Sequence, residues 1–171
     1  MMSSPPAFVV VRADLSTPKH AAAWCAATQA YANDPMGGSQ TLSAEVLERN
    51  VTLLASWPTS VVFLAFTAEG GDVAGMATCF KGWGTFQAKP LLNVHDLAVC
   101  PAYRRQGVGR ALLQAVIAQA QQDGCGKVTL EMVAANVKAR ALYESLGFDI
   151  SQLFGEKRLD GTVCLGAAVH A

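Results

Sequence analysis

The chain has 171 residues, thirteen lysines and arginines against thirteen aspartates and glutamates, 51% hydrophobic residues and 15% charged ones. That length sustains a single domain with a buried core, and that polarity excludes a largely unfolded chain. Balanced charge argues against nucleic acid or an anionic membrane as the main partner, since either would call for a basic surplus.

Taken in chain order, Phe8–Arg12 is a β-rich run and the expected first strand. Thr17–Tyr31 reads as a helix with Pro18 suited to its first position, and the turn formers of Asn33–Gly38 stop it. A second helix is expected over Leu42–Ser56, where apolar residues recur at helical spacing until Trp57-Pro58 ends it. Val61–Thr67 is a continuously apolar strand, and Glu69–Asp72 turns it into a partner over Val73–Phe80. Gly82–Pro90 connects to a strand at Leu91–Val99. Gly107–Asp123 is a helix with Val108, Leu112, Val116 and Ala120 on one stripe and Gly124 as its stop. Lys127–Val133 follows as a strand, then a helix over Asn136–Leu146 ended by Gly147. A last pair of strands is expected at 148–154 and 163–169. This order implies an α/β fold with a mixed sheet.

The opening Met-Met-Ser-Ser-Pro-Pro lacks the basic-then-apolar order of a secretory signal, and no apolar run is long enough for a membrane span. Cys25, Cys79, Cys100, Cys125 and Cys164 are scattered, odd in number and without a Cys-x-x-Cys pair. They read as reduced, small apolar side chains, and the expected location is cytoplasmic. His20, His95 and His170 are too dispersed for a metal site, so no metal is expected.

The most informative segment is Asp96–Arg110: an apolar strand end, a turn at Pro101, Arg104 and Arg105, then Gly107-Val108-Gly109-Arg110 entering a helix. A helix start offers unpartnered N–H groups and the positive end of the macrodipole, and glycines let an anion approach that backbone. Arginine guanidinium groups suit phosphate oxygens. A Walker loop would need Lys-Ser/Thr where Arg110-Ala111 stands, and a dinucleotide fingerprint a third glycine where Leu112 stands. What remains is a pyrophosphate cradle or a plain strand-to-helix loop with surface arginines.

Arg104-x-x-Gly107-x-Gly109 resembles the acetyl-coenzyme A signature of the GNAT superfamily of N-acetyltransferases. The stretch from Asn136 through Tyr143 to Gly147-Phe148 resembles the superfamily's second cofactor segment. One departure is Arg105, where many members have glycine. The resemblance implies a GNAT-like mixed β-sheet flanked by helices, in which two parallel central strands, here 91–99 and 127–133, splay apart around the pantetheine arm. It implies acetyl-CoA as co-substrate, held by the backbone of Leu97, Ala98 and Val99, by the loop Arg104, Arg105, Gln106, Gly107, Val108, Gly109 and Arg110, and by Asn136.

Acetyl transfer from a thioester to an amine needs a fixed donor, a polarised carbonyl, a neutral amine and a protonated leaving thiolate. No Ser-His-Asp or Cys-His signature suggests a covalent intermediate, so direct attack in a ternary complex is expected. By the resemblance Tyr143 matches the phenol that faces the sulfur and acts as general acid. Three groups compete for the base. His95 is of the type that titrates near neutrality, and it resembles the histidine of arylalkylamine acetyltransferases. Glu131, in an apolar strand five residues before Asn136, resembles the glutamate of ribosomal-protein N-terminal acetyltransferases. Asp96 is the third, or holds a loop or orients His95. Among these His95 is favoured. The acceptor is expected to be a primary amine of a small molecule or peptide, in a partly aromatic pocket of Tyr31, Asp34, Met36, Trp83 and Phe86. The competing reading is a non-catalytic acyl-CoA-binding or regulatory module of the same fold, and a homodimer is compatible with either.

Overall fold

A computed structural model of the chain describes residues 8–68 and 71–150. The described elements are β1 (Phe8–Arg12), α1 (Pro18–Ala32), α2 (Ala44–Ser56), β2 (Ser60–Thr67), β3 (Val73–Gly84), β4 (Lys89–Val99), α3 (Val108–Gln122), β5 (Lys127–Leu130) and α4 (Val137–Glu144). A single 3-10 turn, Pro101–Tyr103, follows β4. The chain divides into two compact units, one ending at Leu130 and the other beginning at Glu131.

In the first unit the five strands form one sheet in the order β1-β2-β3-β4-β5. The first four run antiparallel to their neighbours, and β5 pairs parallel with β4, giving the expected mixed sheet. Burial explains the unbroken apolar runs: Val61–Phe66 in β2 and Ala74–Cys79 in β3 are buried on both faces. One face meets α1, where Trp24 and Ala27 pack with Val62, Leu64, Met76 and Ala98. The indole N–H of Trp24 donates to the Thr78 hydroxyl at 3.0 Å, satisfying both polar groups in the core. The other face meets α3 through Val108, Leu112, Leu113 and Val116, all fully buried.

Gly75 sets how closely α3 approaches. A Cβ there would lie 2.5 Å from the Ala98 carbonyl oxygen and 3.2 Å from both Val108 and Leu112. Its absence lets the first turn of α3 come down beside the end of β4. At the far end of the helix, Lys81 reaches Asp123 at 2.7 Å and ties α3 to the same face of the sheet.

Several expected boundaries change. The strand expected over Val73–Phe80 runs on to Gly84 and its partner begins at Lys89, so most of the expected connection Gly82–Pro90 is paired hairpin. The strand expected over Lys127–Val133 ends at Leu130, the last residue that pairs with β4. The closing strands expected at 148–154 and 163–169 lie outside the described residues, apart from 148–150, which carry no strand. In the second unit, Asn136 caps α4 by accepting from the Ala139 N–H at 3.2 Å, and Gly147 leaves the helix with φ +84°.

Candidate active site

The site grows out of the last residues of β4. β5 pairs with Leu91–Val94 and stops, while β4 continues to Val99 paired only with β3. From His95 to Val99 no described strand occupies the β5 side of β4. β4 thus runs on past the last paired residue of β5, and among the described residues no strand pairs with Leu97, Ala98 and Val99 on that side.

At the same point the ladder with β3 is irregular. Asp96 pairs with Thr78 and Val94 with Cys79, which leaves His95 as an extra residue. Side chains of a regular strand alternate between faces, so His95 and Asp96 would point opposite ways. The bulge turns both toward the α1 face. His95 stacks edge-to-face on Phe80 with ring centroids 5.5 Å apart, and Asp96 sits opposite Thr78, the partner of Trp24.

Electrostatics mark Asp96 as the unusual group. Burial pushes its carboxyl above the ordinary range, and the neighbouring His95 pulls it partly back. Among the described residues no lysine or arginine pairs with it. Its charge is felt by Tyr31 on α1, whose phenol is raised first by burial and then by Asp96 and Asp34. Cys79 on the neighbouring strand is pushed up to about 12 by burial, with Asp96 adding to the effect. An accessible, half-buried carboxylate with no cationic partner attracts an ammonium group.

Beyond β4 the chain makes its 3-10 turn and then two left-handed residues, Arg105 at φ +65° and Gly107 at φ +89°. Gly107 is the N-cap of α3, with nothing within 4 Å of where a Cβ would stand. It has no side-chain oxygen to cap the helix, and the first intrahelical bond runs from the Ala111 N–H to the Gly107 carbonyl. Val108 and Gly109 are buried in this first turn, whereas Arg105 and Arg110 are exposed at its mouth. Gln106 donates its amide to the Ala102 carbonyl at 3.1 Å and braces the loop. An open glycine backbone, a helix start and exposed guanidinium groups fit a pyrophosphate.

With this geometry established, comparison with known proteins is informative. Residues 24–148 match the acetyltransferase (GNAT) family. The chain belongs to the GNAT family. It is 50% identical over 57 residues to the [ribosomal protein bS18]-alanine N-acetyltransferase of Escherichia coli K12, covering 33% of this chain and 38% of that one. To the mycothiol acetyltransferase of Nocardiopsis dassonvillei it is 35% identical over 130 residues, covering 74% of this chain and 38% of that one. The chain thus spans under two-fifths of the length of these curated relatives. Among solved structures, a ribosomal-protein-alanine N-acetyltransferase from Brucella melitensis superimposes with a TM-score of 0.69 at 16% identity, covering 89% of this chain and 99% of that one.

Several residues expected at this GNAT site are placed differently. Arg104 is engaged elsewhere: its guanidinium pairs with Asp34 at 2.7 Å and donates to the Val99 carbonyl at 3.2 Å. Asp34 is therefore paired, and Asp96 is the carboxylate on this face without an arginine or lysine partner among the described residues. Trp83 and Phe86 stand at the tip of the β3–β4 hairpin, 62% and 104% exposed. Pro90, the partner of Trp83, is six residues before Asp96, about 20 Å along the strand. They do not join Tyr31 in one pocket, and Met36 is also exposed. Phe80 takes the aromatic place beside His95, and Thr78 and Trp24 lie below. Sequence reasoning passed over all three because each sits in an ordinary apolar run.

In the second unit, Glu131 is exposed and follows the end of β5, so it is not the buried strand carboxylate the sequence implied. Asn136 spends its side-chain oxygen on the α4 cap. Tyr143 is 7% exposed, with its ring 6.0 Å from that of Phe148. Among the described residues no three His, Cys, Asp or Glu side chains are grouped to hold a metal ion, and no helix is long and apolar enough to cross a membrane.

Proposed function

We propose that this chain is an acetyl-CoA-dependent N-acetyltransferase, one domain that carries acetyl to a primary amine of a small molecule or peptide by direct attack. The observation that carries the reading is the bulge that sets His95 and Asp96 on one face at the strand edge, beside the glycine-opened start of α3. Bound there, acetyl-CoA supplies a thioester carbonyl with a good leaving group. The α3 first turn and the exposed Arg105 and Arg110 hold its pyrophosphate. The free edge of Leu97–Val99 aligns its arm and donates to the carbonyl oxygen. Asp96 draws in the ammonium of the acceptor. His95, at the rim, takes the proton that makes the amine nucleophilic, directly or through water. The resemblance gives Tyr143, in the second unit, the role of general acid toward the leaving thiolate.

Free-thiol release from acetyl-CoA tests this across amines, polyamines, amino acids and short peptides. The panel includes the bS18 N-terminal peptide and L-ornithine, which the names of relatives bring forward. Turnover with one acceptor class is expected. Tyr143→Phe lowers kcat about 10²-fold or more while acetyl-CoA affinity stays within a few-fold. CoA binding with no turnover on any acceptor shifts the reading to a non-catalytic acyl-CoA-binding module.

A further inference from the structure

We propose that Arg104 is a positioning residue: it fastens the loop between α1 and α2, which braces Tyr31 beside Asp96, to the end of β4, and it is not a ligand of the cofactor's phosphates. The argument rests on the transferase reading only where it calls this face the acceptor side. Asp34 is the hub of that loop. Its N–H donates to the Tyr31 carbonyl at 3.0 Å, and its own carbonyl accepts from Gly37 at 2.8 Å and Ser39 at 3.1 Å. Its Oδ1 accepts from the Met36 N–H at 2.9 Å, which leaves Oδ2 for Arg104 at 2.7 Å. Gly37 lies so close to the Tyr31 backbone that any Cβ would collide with that carbonyl. The loop is thus pressed onto the base of Tyr31, whose phenol feels both Asp34 and Asp96.

Arg104 holds this assembly from the other side. Its Nε–H is given to the Val99 carbonyl at the last residue of β4, and one terminal nitrogen to Asp34, seventy residues earlier in sequence. The planar fork bridges two elements at fixed separation, which a lysine would do as a point charge only. Arg104 is exposed too, yet its guanidinium is committed to Asp34 and to the Val99 carbonyl, whereas Arg105 and Arg110 stand at the α3 start. The motif residue that sequence assigns to the cofactor therefore acts on the other substrate.

The test compares wild type with Arg104→Gln, Asp34→Asn and their double variant, reading amide hydrogen exchange at Met36, Gly37 and Ser39 and, separately, the Kd for CoA. Asparagine at 34 can still accept from the Met36 N–H through Oδ1, while its amide NH2 donates and cannot accept from Arg104, so that variant removes the tie and keeps the turn. Each variant is expected to speed loop exchange about three- to fivefold, the double no more than either single, with CoA affinity within about twofold of wild type. Arg104→Lys recovers part of the protection. With an acceptor in hand, Arg104→Gln raises the acceptor KM and leaves the acetyl-CoA KM in place. A tenfold loss of CoA affinity in Arg104→Gln with unchanged loop exchange overturns the proposal, as do additive effects in the double variant. Wild-type protein that binds no CoA sinks the transferase reading instead, and the exchange data still decide whether the tie exists.

Discussion

At the scale of single residues, the two that carry most information are under strain or under cost. Arg105 holds φ +65°, a region where a side chain costs about 1–2 kcal/mol and glycine almost none. Arg105→Gly is expected to stabilise the fold by about 0.5–1 kcal/mol, since glycine gives back part of the gain as unfolded-state entropy. The same change removes a cation from the cradle and weakens CoA binding. Denaturant unfolding and a CoA titration check the two directions, and a variant less stable than wild type removes the strain argument. Asp96 poses the matching question for the acceptor. Burial holds its folded carboxyl above the ordinary aspartate range, so that burial destabilises the fold wherever the group is ionised. The native state is favoured below the unfolded value and loses that advantage as pH rises through the folded one. Asp96→Asn should therefore melt higher than wild type at pH 7, with the difference closing below pH 3.8, while turnover falls. A variant that melts lower at pH 7 would show Asp96 to be a structural anchor.

At the scale of elements, the contact of α3 with β3 and β4 is the geometry that joins cradle to strand edge. Gly75→Ala would drive a methyl toward the Ala98 carbonyl, 2.5 Å away, and toward Val108 and Leu112. The expected cost is about 1–3 kcal/mol, and CoA binding should weaken as α3 lifts. An alanine variant with wild-type stability and affinity would mean that α3 has freedom to move. The boundaries of α1, β2, β4 and α3 were legible because each rests on local signals: Pro18, Trp57-Pro58, a continuous apolar run, Gly107 and Gly124. The left-handed Gly107 at the start of α3 was legible for the same reason, its turn being contiguous in sequence. The bulge was not. An extra residue in β4 exists only relative to β3, and no pattern within Leu91–Val99 reveals it. The Arg104–Asp34 pair was hidden by distance along the chain, and both partners had been given other work on the strength of their charge. The family resemblance places the segment before the central strand, and with it Trp83 and Phe86, in the pocket, whereas the hairpin carries them beyond the residues of β2 and β5 that pair.

At the scale of the whole molecule, the cradle and the strand edge belong to the folded state alone, so a ligand spanning both must stabilise it. CoA at a hundred times its Kd should add about 2.7 kcal/mol, or about 5–10 °C in Tm, with no shift from NAD. A Tm unmoved by CoA would contradict the proposed cofactor. The sheet that supports this site also bears on how the chemistry could be gained or lost in inheritance. His95 has no partner across the ladder, so its neighbours already meet consecutive residues of β3, Val94 facing Cys79 and Asp96 facing Thr78. Losing that one codon would close the strand into a regular ladder with every remaining pair intact. One in-frame deletion of three nucleotides is therefore expected to return a folded protein without the proposed base.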